Sequence, residues 1–221
     1  KRRFTVGIID DVTHLSLHTD PSFRLPSRSV EAVFYGLGSD GTVGANKASV
    51  KLIGENTDSW VQGYFVYDSK KSGSTTISHL RFGPERIEAP YLIEEADFVA
   101  VHQFGLLERL PVLDVAKPGA TVLLSTPHAA DKAWDYLPTA VQHTILAKEL
   151  QVFVVDAAAV AKAAGLGRRV NTVMQACFFA LAKVLPVEVA LELAKESARK
   201  SYARLGSRVV QANVDAIDSA T

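Results

Sequence analysis

Sulfur is scarce in this chain: one cysteine, Cys177, and one methionine, Met174, occur among 221 residues. A lone cysteine excludes an intrachain disulfide. It equally excludes a multi-cysteine metal or iron–sulfur site held by this chain alone. Cys177 falls in the apolar run Met174-Gln175-Ala176-Cys177-Phe178-Phe179, where a small buried core residue is expected. Net charge is absent too. The 24 basic residues balance 24 acidic ones, so no overall field draws the chain toward nucleic acid or anionic lipid, and any anion site must be local. No apolar stretch approaches the roughly 20 residues that span a bilayer. Trp60 and Trp134 stand apart, and aromatic residues do not interleave with basic ones, which argues against single-stranded nucleic acid as a ligand.

The opening residues, Lys1-Arg2-Arg3-Phe4-Thr5-Val6-Gly7-Ile8-Ile9, are basic and then apolar. The apolar part is too short for a signal-peptide core and runs straight into Asp10-Asp11. A cytoplasmic location is expected. The chain does not begin with Met, which suggests a fragment of a longer protein.

Several catalytic and metal motifs are missing as well. No His-Glu-x-x-His is present, and His79, His102 and His128 lack the i, i+4 spacing of a helical metal site, so structural or exposed roles are expected for them. Ser125-Thr126-Pro127-His128 has no Gly-x-Ser-x-Gly elbow around it. Asn46-Lys47 does not end a Walker loop.

What is present is 48% apolar residues, enough for a sizeable core in one large α/β domain or two small ones. Residues 1–29 read as a lead-in segment or linker, with a strand over 4–9 and a turn-rich connector over 21–26. From Val30 a pattern begins. Strands are expected over 30–35, 61–67, 75–82, 98–101, 120–124 and 152–156. Short continuous apolar runs such as Phe98-Val99-Ala100-Val101 suit strands buried on both faces of a parallel sheet. Helices are expected over 42–54, 141–150 and 157–164. The last third is helical: an apolar helix over 172–184, an amphipathic one over 186–202 opened by Pro186, and a last one over 207–217. The expected fold is α/β, a Rossmann-like doubly wound, mostly parallel sheet with helices on both faces and a helical C-terminal third. Residues 30–221 form its single domain.

The informative stretch is Phe34-Tyr35-Gly36-Leu37-Gly38-Ser39-Asp40-Gly41-Thr42-Val43-Gly44-Ala45-Asn46-Lys47. An apolar strand leads into glycines and then a helix, the layout of a loop whose backbone N–H groups close on a phosphate. Gly36-x-Gly38-x-x-Gly41 matches the dinucleotide fingerprint. There Gly36 makes the tight turn, Gly38 the close approach and Gly41 the helix packing, and Asp68 after the second strand is the candidate ribose contact. A tight strand-to-helix turn without a ligand is the alternative. Asp40 repels a phosphate unless its carboxylate points away, and Ser39 or Asp40 can instead cap the helix. Asp68-Ser69-Lys70-Lys71-Ser72-Gly73 is expected at the same strand-end rim, where two lysines can meet phosphate or simply face solvent. Asn171 is either a helix N-cap or a donor to a ligand. Asn213 sits in the last helix, where a solvated or weakly capping role is usual.

Four stretches together resemble the gamma-type domain of pyruvate:ferredoxin (flavodoxin) oxidoreductase. They are residues 36–47, Gln62-Gly63-Tyr64-Phe65-Val66-Tyr67-Asp68-Ser69-Lys70-Lys71-Ser72-Gly73, Ser78-His79-Leu80-Arg81-Phe82-Gly83, and Gly165-Leu166-Gly167-Arg168-Arg169-Val170-Asn171-Thr172. The resemblance runs from about Phe4 and includes Asp10-Asp11-Val12-Thr13. It implies a coenzyme A-binding domain of a long, multidomain, homodimeric enzyme that decarboxylates pyruvate to acetyl-coenzyme A and passes electrons to ferredoxin or flavodoxin. It also implies that thiamine diphosphate and 4Fe–4S clusters sit in other domains, and that this chain binds without turning over alone. By the same likeness Gly38, Ser39, Asp40, Gly41 and Thr42 form the phosphate loop, Lys70 meets a phosphate, and Asn171 and Asn213 bond other polar groups of the coenzyme. Two other readings stay open on the residues themselves: a stand-alone NAD-dependent oxidoreductase, and a non-catalytic interaction domain docking through its amphipathic helices.

Overall fold

The computed structural model of the chain describes residues 2–20, 22–68, 74–167 and 169–220. Among these, six strands form one sheet: β1 (Val30–Leu37), β2 (Trp60–Tyr67), β3 (Thr75–Gly83), β4 (Ala96–Val101), β5 (Ala116–Ser125) and β6 (Gln151–Val155). Their spatial order is β2-β3-β1-β4-β5-β6. β3 is antiparallel to both β1 and β2, whereas β1, β4, β5 and β6 run parallel. The doubly wound, mostly parallel sheet expected from the apolar runs is present.

Six α-helices accompany it: α1 (Thr42–Asn56), α2 (Thr139–Ala147), α3 (Ala157–Ala163), α4 (Asn171–Ala182), α5 (Val187–Tyr202) and α6 (Ser207–Asp218). Strand alternation divides the core in two. Ala32 and Phe34 of β1 face a cluster with α1 and the C-terminal helices, while Val33 and Tyr35 face a second cluster containing Val141 and Ile145 of α2. α4 is apolar nearly all round because it is the centre of the first layer. Its Phe178 packs edge-on against Phe34, Phe82 and Phe98 of three different strands. α5 covers it with Ala190, Ala194 and Ala198, a small-residue stripe at i, i+4, i+8 that allows close helix approach. Cys177 is buried, bonds the Ala220 carbonyl at 3.4 Å, and burial pushes its thiol up to about 11.

The strand expected over residues 4–9 does not form. A single bridge joins Thr5 to Ser16, and Phe4, Val6 and Ile9 are exposed. An apolar run alone cannot make a strand where no sheet edge lies alongside to pair its backbone. Exposed ion pairs, Arg24–Glu95 at 3.1 Å and Arg28–Glu85 at 2.8 Å, tie this lead-in to the domain.

At the N-terminal end of β1 the sheet closes over its own charges. Arg81 is 3% exposed. Its Nε donates to Glu31 at 2.8 Å, and its Nη1 donates to Gln62 and to the Tyr91 carbonyl, each at 2.9 Å. Lys117 pairs with Asp97 at 2.8 Å, and Asp97 in turn accepts from the Glu31 amide at 2.9 Å.

Candidate functional site

The connection from β1 runs through α1 on one face to β2. That from β4 to β5 leaves on the opposite face and in the opposite direction. The crevice outside the carboxyl ends of β1 and β4 is therefore the switch point at which open α/β sheets take ligands. Residues 38–41 join β1 to α1 at that end of the sheet, and His102 follows directly after β4.

The loop is built around Asp40. One carboxylate oxygen accepts from the Leu37 amide at 2.8 Å. The other accepts from the Thr42 amide at 2.9 Å and the Thr42 hydroxyl at 2.6 Å. The carboxylate is thus turned into the loop, which removes the repulsion expected of it, and it caps α1 from one residue before the N-cap position. Gly41, at that position, has φ 85°, a left-handed conformation that side chains resist. Among the described residues, the amides of Ser39, Gly41, Val43 and Gly44 make no hydrogen bond. They are orphan donors at a helix start, where the helix dipole also favours an anion.

The three glycines do work different from that of a dinucleotide fingerprint. Gly36 lies inside β1 and makes no turn; a Cβ there would sit 2.3 Å from the Thr42 hydroxyl. A Cβ on Gly38 would meet the Ser74 hydroxyl at 2.6 Å, and one on Gly41 would meet the Asn171 carboxamide at 2.9 Å. β3 also lies between β1 and β2, which moves the end of β2 away by two strand spacings, roughly 10 Å. Asp68 is therefore not placed as the ribose contact of a dinucleotide site.

The start of β3 does reach the same rim. The Gly38 amide donates to the Ser74 carbonyl at 2.9 Å, and Asp68 bonds Thr75 at 3.1 Å. Lys70, the expected phosphate partner between β2 and β3, lies outside the described residues.

Asn171 is the first residue of α4 rather than its cap, Val170 holding that position. The side chain stands against Gly41, and its carboxamide makes no hydrogen bond among the described residues. Gly41 at the N-cap of α1, Gly44 and Ala45 within it, Asn171, Thr172 and Gln175 of α4, and part of α5 line a cleft of about 310 Å³ that opens beside the loop. Asn213 is brought near but not into it. It is 2% exposed, its Oδ1 accepts from the Thr172 hydroxyl at 2.7 Å, and its Nδ2 donates to the Val209 carbonyl at 2.8 Å. Its oxygen ties α6 to α4, and its nitrogen is used within α6.

The histidines separate by environment. His79 accepts from the Ile93 amide at 3.2 Å, and burial, helped by the Arg81 charge, lowers it to about 4. His128 stacks on Tyr136 with centroids 3.6 Å apart. His102, 3% exposed, lies 2.8 Å through Nδ1 from the Thr42 hydroxyl, a contact that sequence reasoning missed. The only signal was a polar residue directly after the apolar run Phe98-Val99-Ala100-Val101. Among the described residues, no group of three or more His, Cys, Asp or Glu side chains is placed to hold a metal ion, and no helix is long and apolar enough to cross a membrane.

Comparison with known proteins matches residues 31–221 to the family model of pyruvate ferredoxin/flavodoxin oxidoreductase. Over 219 residues the chain is 56% identical to a pyruvate-flavodoxin oxidoreductase of Rhodospirillum rubrum; the alignment covers 99% of this chain and 18% of that protein. The chain thus spans less than a fifth of the length of that relative. The fold superimposes on the crystal structure of pyruvate oxidoreductase subunit PORC from Thermotoga maritima with a TM-score of 0.66 at 20% identity, covering 88% of this chain and 96% of that one. It also superimposes on a 2-oxoglutarate:ferredoxin oxidoreductase from Magnetococcus marinus, solved with 2-oxoglutarate, coenzyme A and succinyl-CoA bound. That match has a TM-score of 0.66 at 15% identity and covers 88% of this chain and 31% of that one.

Proposed function

The chain belongs to the pyruvate ferredoxin/flavodoxin oxidoreductase family, and from that footing we propose that it is the coenzyme A-binding domain of such an enzyme. The carrying observation is the loop at the β1–β4 crevice, where Asp40 folds inward and leaves the amides of Ser39, Gly41, Val43 and Gly44 without partners. Coenzyme A brings a diphosphate and a 3′-phosphate, the charge such a donor set accepts. Gly38, Ser39, Gly41 and Thr42 shape the cradle, and Asp40 holds its form. Asn171 offers a free carboxamide at its edge, and Lys70 is the proposed source of an ammonium. Asn213 acts one step back, by fixing Thr172. The coenzyme A bound to the fold relative from Magnetococcus marinus supports this ligand. An NAD site finds no support in the positions of Gly36 and Asp68.

In this reading residues 30–221 are the domain and 1–29 a lead-in segment. The whole enzyme, a cytoplasmic homodimer, decarboxylates pyruvate to acetyl-coenzyme A and passes electrons to ferredoxin or flavodoxin. A 4Fe–4S cluster takes four thiolates and the chain holds one cysteine, so the clusters are assigned to other domains, as is thiamine diphosphate. This domain presents the coenzyme thiol to chemistry performed there, a proximity effect. Calorimetric titration of the chain with coenzyme A and with NAD tests the reading. Saturable heat with coenzyme A that falls on Lys70→Ala or Asn171→Ala is expected. Heat with NAD alone, or none with coenzyme A at millimolar concentration, overturns it.

A further inference from the structure

We propose that His102 is the positioning residue of the loop, acting as a neutral imidazole that donates from Nδ1–H to the Thr42 hydroxyl and so keeps the Asp40 carboxylate turned inward. The inference rests on the coenzyme A reading only for its consequence on affinity; the hydrogen-bond chain stands on geometry.

The direction of that chain follows from counting protons. Thr42 Oγ1 has two polar neighbours, Asp40 Oδ1 at 2.6 Å and His102 Nδ1 at 2.8 Å. The hydroxyl owns one proton, and a carboxylate only accepts. The proton therefore goes to Asp40, and His102 must supply its own from Nδ1. The other tautomer would draw the threonine proton to Nδ1 and leave two oxygens facing each other 2.6 Å apart with no proton between them. Asp40 would then swing off the Leu37 and Thr42 amides, toward the space in which the loop accepts an anion. Full burial keeps the ring neutral, lowering its pKa to about 4 despite the opposing pull of Asp40.

The surroundings hold the ring in place. The His102 amide donates to the Tyr35 carbonyl at 2.9 Å, continuing the β1–β4 ladder by one rung. Phe34 packs edge-on at 6.3 Å and 71°. Gly36 is the gap in β1 through which the Thr42 hydroxyl reaches the imidazole, since any Cβ there collides with it at 2.3 Å. Strand β4, which contributes no residue to the loop, thereby sets the charge the loop presents.

Two measurements on the chain test the proposal. In ¹⁵N-resolved spectra of the imidazole, a protonated Nδ1 and a bare Nε2 are expected; the reverse tautomer overturns the proposal. In calorimetry, His102→Leu and His102→Gln each weaken coenzyme A about tenfold, the upper end of the value of one neutral hydrogen bond. His102→Asn, whose amide nitrogen falls where Nδ1 lies, stays within about threefold of wild type. Equal affinity in all three variants, or no rescue by Asn relative to Gln, overturns it. Should wild type bind no coenzyme A, the functional reading fails, while the tautomer and faster exchange of the Thr42 amide in His102→Gln still decide the inference.

Discussion

The two ends of strand β1 solve the same problem in opposite ways. At the N-terminal end, Glu31, Arg81, Asp97 and Lys117 are gathered into one network in which two carboxylates meet two cations. At the C-terminal end, Asp40 and Thr42 satisfy each other, but the amides of Ser39, Gly41, Val43 and Gly44 remain open. Side-chain charges brought in from several strands can cancel. Backbone donors at a helix start have no partner within the helix and are completed by water or an anion. The first end is therefore read as structural and the second as the binding end, though both are polar.

The sharpest way to break this contrast is to open the network. Arg81→Leu leaves buried Glu31 with Lys117, 3.7 Å away, as its one cation and is expected to cost about 3 kcal/mol in urea unfolding, with coenzyme A affinity of the folded fraction unchanged. Loss of affinity without loss of stability would show that the two ends are not separable.

Acid acts on the C-terminal end of β1 through His102. Its folded pKa lies below the unfolded value, so the unfolded chain takes up the proton first and stability falls as pH drops from about 6.5 toward 4. Between pH 7 and 5 the loss is on the order of 2 kcal/mol. His79, shifted the same way, adds a similar loss. Urea midpoints across this range should fall, and fall less steeply in His102→Asn. A pH-independent midpoint would contradict the buried neutral ring.

A glycine pair sharpens the comparison within the loop itself. Gly36→Ala forces the Thr42 hydroxyl away and is expected to destabilise by about 1–3 kcal/mol and to weaken coenzyme A. Gly44→Ala, with nothing within 4 Å of the new Cβ, should stabilise by about 0.5–1 kcal/mol as a helix substitution. Thermal melts of the two should move in opposite directions. The smallest effect is kinetic: iodoacetamide at pH 8 should leave Cys177 unmodified while the chain is folded, because burial holds the thiol up at about 11.

Much of the fold was legible because each element carries its own signal. The apolar runs at 98–101 and 152–156 and the helix over 42–54 lie in or on β4, β6 and α1 with ends shifted by a few residues. The lead-in misled because residues 4–9 are an apolar, strand-like run, and pairing needs a neighbour that no local pattern can announce. At the candidate site, the strand-to-helix turn was legible in its glycines, and Asn171 as a residue at the start of an apolar helix. The glycine roles were not. Gly36 matters for a contact with Thr42 across the turn, and Gly41 for one with Asn171, which is 130 positions away in the chain.

Composition and periodicity by themselves determined that this is a neutral α/β chain with one thiol, a glycine loop leading into a helix, and an apolar helix buried late in the sequence. Those properties are local, set by the side chains of neighbouring residues. Only tertiary structure decided that β3 slips between β1 and β2, that Asp40 faces inward, that Asn213 is occupied elsewhere, and that His102 sits beneath Thr42. The strand order, Asn213 and His102 depend on which strands and helices lie side by side, and hydrogen bonds of 2.7–2.8 Å between residues 41 and 60 positions apart form only after those elements have met. Asp40 reaches only Leu37 and Thr42, but Thr42 is itself engaged by His102.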